Sequence, residues 1–147
     1  MSKLLSLPFV IAAISGVAMA IQGTLNSSLS QKTSLLSATL IVHIIGTLVA
    51  LIASLAWRSP LFKYSWVSVP WYLYLGGILS VLIVGLVAIS IPKVGVCNAT
   101  TAIIIGQVSM AVLIDHFGWF GISRLPWTPW QLVGIALFAA GAKLLFR

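Results

Sequence analysis

The single acidic residue of the 147-residue chain, Asp115, stands beside one of its two histidines, His116. Together they close a strongly apolar stretch, GQVSMAVLIDHFGWFG (106–121). A carboxylate next to an imidazole can exchange protons or hold a cation. A carboxylate near a helix C-terminus also opposes the helix macrodipole, so its position needs a further reason. Two reasons stand open. One is an ion pair with Arg124, Arg58 or Lys63 that fixes the next loop. The other is proton or cation exchange at the mouth of a cavity.

The second histidine lies within an apolar run. Thr39, His43 and Thr47 recur every four residues, which places them along one helical face. Imidazole can carry a proton near neutrality; it can equally be a neutral ring donating to a carbonyl of a neighbouring helix. Gln107 falls near the middle of another apolar run, and Gln22 and Asn26 lie four apart near the end of the first. Amides at such depth orient a polar ligand or join helices. Catalysis has little to stand on. The chain has no paired carboxylates, no Cys–His signature, no phosphate loop and no metal-ligand cluster. Its one cysteine, Cys97, excludes an intramolecular disulfide. No enzyme activity, cofactor or metal is expected.

The elements that must position these groups follow from composition. Hydrophobic residues make up 61% of the chain and charged residues 6%, against about 25% charged in a soluble domain. Part of the solvent must therefore be lipid. The net charge of +7 does not indicate nucleic acid, because the eight Lys and Arg are scattered singly between apolar runs. A membrane helix needs about 20 mostly apolar residues. The pattern predicts five such spans in a single domain, at about 4–24, 34–57, 70–91, 99–117 and 128–146. They are too long and unbroken for barrel strands, so an all-α integral membrane bundle is expected. The first span, with Lys3 before it and Ala18-Met19-Ala20 within it, has some look of a signal peptide. The apolar run that follows favours a retained helix. Pro70 and Pro129 suit first helical turns, and Thr128 can cap the fifth span.

All six tryptophans fall in the two loops on the N-terminal side of the membrane, in WRSPLFKYSWVSVPWY and GWFGISRLPWTPW. Such a belt anchors the headgroup layer, or offers rings to an aromatic or cationic ligand. Lys3, Arg58, Lys63 and Arg124 lie on that side; Lys32, Lys93, Lys143 and Arg147 lie on the other. Orientation normally follows a Lys/Arg excess on the cytoplasmic side. With none, insertion in both directions is expected, and copies would pair antiparallel with inverted symmetry. A partner subunit that sets the orientation is the alternative. Small residues allow close helix approach. Ala12, Gly16 and Ala20, and then Gly76–Ser80 and Gly77–Gly85, suit packing within the chain. Gly134 and Gly141, with Leu137 and Leu144 alongside, form a face suited either to such packing or to a dimer seam.

These motifs resemble a known family. AIQGTLNSSL (20–29), PWYLYLGG (70–77), GQVSMAVLIDHFGWFG and GIALFAAGAKLL (134–145) are similar to stretches of the five-helix YdcZ-type inner-membrane exporters, a short branch of the drug/metabolite transporter superfamily. The resemblance covers nearly the whole chain. It implies a dimeric bacterial inner-membrane protein moving small organic solutes, paired antiparallel or with a sister subunit. HIIGT (43–47) also looks like the stretch that carries a buried glutamate in four-helix multidrug exporters. That comparison implies a proton-coupling role for His43. The leading expectation is a secondary exporter in which two copies form a cavity lined by Thr39, His43, Thr47, Gln107, Gln22 and Asn26. His43 or Asp115 would take up protons. The alternative is an assembly subunit that stabilises another membrane protein.

Overall fold

A computed structural model of the chain describes residues 7–59 and 66–146. Among these residues the fold is entirely helical, with no strand. Five α-helices follow in order: α1 Leu7–Lys32, α2 Leu35–Ala56, α3 Leu75–Val94, α4 Val96–Phe117 and α5 Pro129–Leu145. Short 3-10 turns at Trp66–Ser68 and Trp71–Tyr74 lead into α3, and one at Trp119–Gly121 follows α4. The chain divides into two compact units, one ending at Pro92 and the other starting at Lys93.

Four helical segments are long and apolar enough to cross a bilayer: Leu7–Lys32, Leu35–Ala56, Trp71–Val94 and Val96–Phe117. α5 has 17 residues, or about 26 Å at 1.5 Å per residue, against a hydrocarbon core of about 30 Å. Where the sequence predicts five comparable spans, the structure has four long ones and a shorter fifth helix. The predicted start of the first span, residues 4–6, lies outside the described residues, as do Lys3, Lys63 and Arg147.

The predicted loops opposite the tryptophan belt are mostly helix. α1 runs eight residues past its expected end at 24. Within and just beyond its polar tail the hydroxyls bond back onto the same helix, which satisfies them without a partner. Thr24 donates to the Ala20 carbonyl at 2.9 Å, Ser30 to Ser27 at 2.8 Å, and Thr33 to Leu29 at 2.9 Å. Only Thr33 and Ser34 separate α1 from α2. Ser34 caps α2 by accepting from the Ser37 N–H at 3.1 Å. A single residue, Gly95, links α3 to α4. Its φ of +83° is the left-handed backbone that glycine adopts without strain.

Within the first unit, Gly23, Asn26 and Ser27 of α1 are buried and spaced along one face, and α1 meets α3 at Gly23 and Ser27. A Cβ on Gly23 would lie 3.0 Å from Val87 Cγ1 and 3.4 Å from Ile91 Cδ1. The close approach is thus at Gly23. At Gly16, Gly76, Gly77 and Gly85 an added Cβ would meet nothing within 4 Å, so the small-residue faces expected to pack spans one and three are not used there. α3 carries Pro92 near its end. Proline has no N–H, so the carbonyl four residues back, Ala88, loses its helical donor. Ser27 supplies one from α1, with Oγ 3.5 Å from the Ala88 carbonyl oxygen. Neighbouring hydroxyls commonly satisfy a carbonyl freed by proline inside a membrane.

Most large apolar side chains point outward, including Ile14 and Val17 on α1, Leu40 and Leu48 on α2, and Leu82 on α3. That pattern suits lipid as the surrounding solvent, since a water-soluble chain buries them.

Candidate functional site

In the first unit the candidate site is built on α2. Thr39, His43 and Thr47 follow its four-residue spacing, and each is bonded back along the helix. The Thr39 hydroxyl donates to the Leu35 carbonyl at 2.8 Å, and the Thr47 hydroxyl to the His43 carbonyl at 2.8 Å. His43 Nδ1 lies 2.8 Å from the Thr39 carbonyl oxygen. A carbonyl only accepts, so Nδ1 carries a hydrogen. The other ring nitrogen reaches α3, where Nε2 lies 2.9 Å from Ser80 Oγ. The ring is therefore bonded to its own helix through one nitrogen and to its neighbour through the other. Thr39 is buried, His43 half-buried and Thr47 exposed.

An apolar groove of about 230 Å³ runs alongside, lined by Leu35, Leu36 and Thr39 of α2 and by Val81, Leu82 and Leu86 among the residues of α3. Charge is absent from the interior of these helices. α2 has no charged residue, and α1 and α3 carry only Lys32 and Lys93, each in the last helical turn.

Of the α1 amides, Asn26 lies at a similar depth to His43. Asn26 is eight residues before Ser34 and His43 is nine after it, so both sit about 12–14 Å along their helices from the turn. Asn26 is 7% exposed and its side chain makes no hydrogen bond among the described residues, yet neither of its polar side-chain atoms is sealed from solvent. The Gln22 side chain is exposed and also has no hydrogen bond among the described residues.

In the second unit, Asp115, His116 and Arg124 meet at the end of α4. Gly118, with φ +65°, turns the chain out of the helix and donates to the Ile114 carbonyl at 2.8 Å. A Cβ there would lie 3.2 Å from both Arg124 Cβ and the Ile122 carbonyl oxygen. The returning loop satisfies the last helical carbonyls. The Leu125 N–H donates to the Asp115 carbonyl at 2.7 Å, and Arg124 Nε to the His116 carbonyl at 3.0 Å. The Trp127 N–H donates to His116 Nδ1 at 3.4 Å, which leaves the proton of a neutral ring on Nε2. Arg124 thus bonds the helix end rather than the Asp115 carboxylate, and that carboxylate has no partner among the described residues. A guanidinium at a helix C-terminus complements the macrodipole that Asp115 opposes.

Gln107, halfway along α4, is exposed, and its side chain makes no hydrogen bond among the described residues. On α5 the face bearing Gly134, Leu137, Gly141 and Leu144 is exposed, and Ala142 is the helix's buried residue. Thr128 and Gln131 begin α5 together, the Thr128 N–H donating to Gln131 Oε1 at 2.8 Å. Among the described residues no three His, Cys, Asp or Glu side chains come together as a metal site would require.

Ser80 and Ser27 are the site and packing residues that motif reading passes over. Ser80 was legible only as the small member of a Gly76–Ser80 packing pair. The available signal was a lone hydroxyl in GGILSVLIVG, where every other residue is apolar or glycine.

Long apolar helices with most of their large side chains turned outward define an integral membrane protein. The chain belongs to the family described as "Putative inner membrane exporter, YdcZ", whose model matches residues 7–144. That description names export across the inner membrane and no enzymatic reaction. No curated protein and no solved structure matches the chain.

Proposed function

We infer that the protein exports small organic solutes by alternating access and that His43 carries the proton that drives it. The observation that carries this reading is the His43 bridge, an imidazole at mid-depth bonded to Thr39 on its own helix and to Ser80 on the next. A titratable ring that joins two helices can couple its charge to their relative position. No fixed charge on these helices competes with it at that depth. Asn26 and Gln22 are the amides proposed to contact solute in this unit, and Gln107 in the other.

The working form in this reading is a pair of chains inserted in opposite directions. The support is Gln107, whose bare amide would be costly in hydrocarbon and is relieved by a partner or a wet cavity. The exposed glycine face of α5 suits the close approach of a second helix. Balanced Lys and Arg on the two sides permit both insertions.

The test is proton movement in proteoliposomes loaded with a pH-sensitive dye. Amino acids, small amines, weak organic acids and nucleosides are added one class at a time. Proton movement dependent on one class, absent from protein-free vesicles, supports the reading. No movement with any class contradicts it.

A further inference from the structure

Ser80 Oγ has one hydrogen and two neighbours that compete for it. It lies 2.8 Å from the Gly77 carbonyl oxygen and 2.9 Å from His43 Nε2. Both are within hydrogen-bonding distance, but one hydroxyl donates one bond at a time. Which one it makes depends on the ring. His43 Nδ1 faces a carbonyl and keeps its hydrogen in either charge state. A neutral ring therefore has a bare lone pair on Nε2, and Ser80 must donate to it, turning away from Gly77. When a proton from water adds to that lone pair, Nε2–H becomes a donor. Ser80 Oγ then accepts from it, and its hydrogen returns to the Gly77 carbonyl. No covalent bond breaks in the chain; one N–H bond forms and one O–H rotates.

We propose that Ser80 is the positioning residue that passes the charge state of His43 to α3, by directing its hydroxyl hydrogen to Nε2 or to the Gly77 carbonyl. The proposal deepens the proton-coupling reading and rests on it for its purpose. Its consequence lies in substrate class. The second lone pair of the Gly77 carbonyl is open only while His43 is neutral. Gly77 is exposed, with nothing within 4 Å of where a Cβ would be. A solute with an N–H or O–H donor can use that acceptor, and protonation of His43 withdraws it. Proton and donor-bearing solute then exclude each other, as exchange requires. The charged groups on the helices around the ring are Lys32 and Lys93, in the last turns of α1 and α3, and none of these helices has a carboxylate.

The test is magnetic resonance of the full chain in lipid bilayers, with 15N-labelled histidine and 13C-labelled glycine carbonyls. His43 signals are assigned by their loss in His43→Gln. At alkaline pH the wild-type ring is expected to be protonated on Nδ1 with a hydrogen-bonded, unprotonated Nε2. Ser80→Ala should move the Nε2 signal toward that of a free ring nitrogen, leave Nδ1 protonated, and leave His116 unchanged. Ser80→Thr should restore the wild-type Nε2 signal. The Gly77 carbonyl signal should change between acidic and alkaline pH in the wild type and stay constant in Ser80→Ala. A wild-type ring protonated on Nε2, or a Gly77 carbonyl indifferent to pH, overturns the proposal; both are read without any variant at Ser80. Observing the expected signals in a chain that moves no protons with any solute would reject the transport reading and leave the role of Ser80 standing.

Discussion

Ser27 of α1 and Ala88 of α3 are joined by a hydrogen bond made necessary by a third residue. Pro92 leaves the Ala88 carbonyl without a helical donor, and the Ser27 hydroxyl, on a side chain 1% exposed, lies 3.5 Å from it. The contact falls four residues from Gly23, where α1 comes close enough that a Cβ would crowd the Val87 side chain. Two small residues thus bring α1 against the part of α3 that proline weakens.

Ser27→Ala should destabilise the fold by about 0.6–1.7 kcal/mol, the range for hydrogen bonds between membrane helices. Pro92→Ala restores an N–H for the Ala88 carbonyl, so Ser27→Ala should cost less in that background. Unfolding measured across the double-mutant cycle checks this. Equal cost in both backgrounds would separate Ser27 from Pro92.

At Gly23 the added atom meets a side chain rather than backbone. Gly23→Leu should destabilise by roughly 1–3 kcal/mol through overpacking. Val87→Ala should recover part of that loss by making room. Thermal unfolding in detergent reports both, and absence of rescue would place the obstruction elsewhere.

Most of this architecture is legible in the sequence, because uninterrupted apolar runs can only be helices in lipid. The helix ends are not. Asn26 to Lys32 has the composition of a loop, but α1 continues through it to Lys32, with the hydroxyls of Ser30 and Thr33 bonded back onto the helix. The third predicted span stops at 91, before Pro92, yet α3 continues to Val94, and the neighbouring helix supplies the donor that the Ala88 carbonyl lacks. The four-residue spacing of Thr39, His43 and Thr47 defines a face, but spacing within one helix cannot name the partner on another, so Ser80 is invisible to it. At Asp115, the sequence offers several cations as partners. The backbone needs of the α4 terminus draw Arg124 to the His116 carbonyl instead.

That arrangement separates two neighbours in charge-swap experiments. Arg124→Ala removes the cap and its favourable charge, and should cost about 1 kcal/mol. Asp115→Asn should lie within about 0.5 kcal/mol of the wild type, because the carboxylate has no partner to lose among the described residues. Hydrogen exchange at Leu125 N–H, bonded to the Asp115 carbonyl at 2.7 Å, reports the loop directly. It should quicken in Arg124→Ala and not in Asp115→Asn.

The seam proposed on α5 predicts a specific cross-link. In an antiparallel pair crossing near Leu137, Gly134 faces Gly141 of the partner subunit. In a Cys97→Ser background, Gly134→Cys chains should cross-link with co-expressed Gly141→Cys chains and not with one another. Cross-linking of Gly134→Cys with itself would indicate a parallel pair.

The claim at the centre is that His43 carries the coupled proton, and proteoliposomes made with His43→Gln test it most directly. Glutamine keeps a polar side chain at that place and cannot take up a proton. The expected result is that solute-dependent proton movement, present in the wild type and in Asp115→Asn, is lost in a folded His43→Gln chain. Proton movement that survives in His43→Gln and disappears in Asp115→Asn would contradict it and move the coupling site to the end of α4.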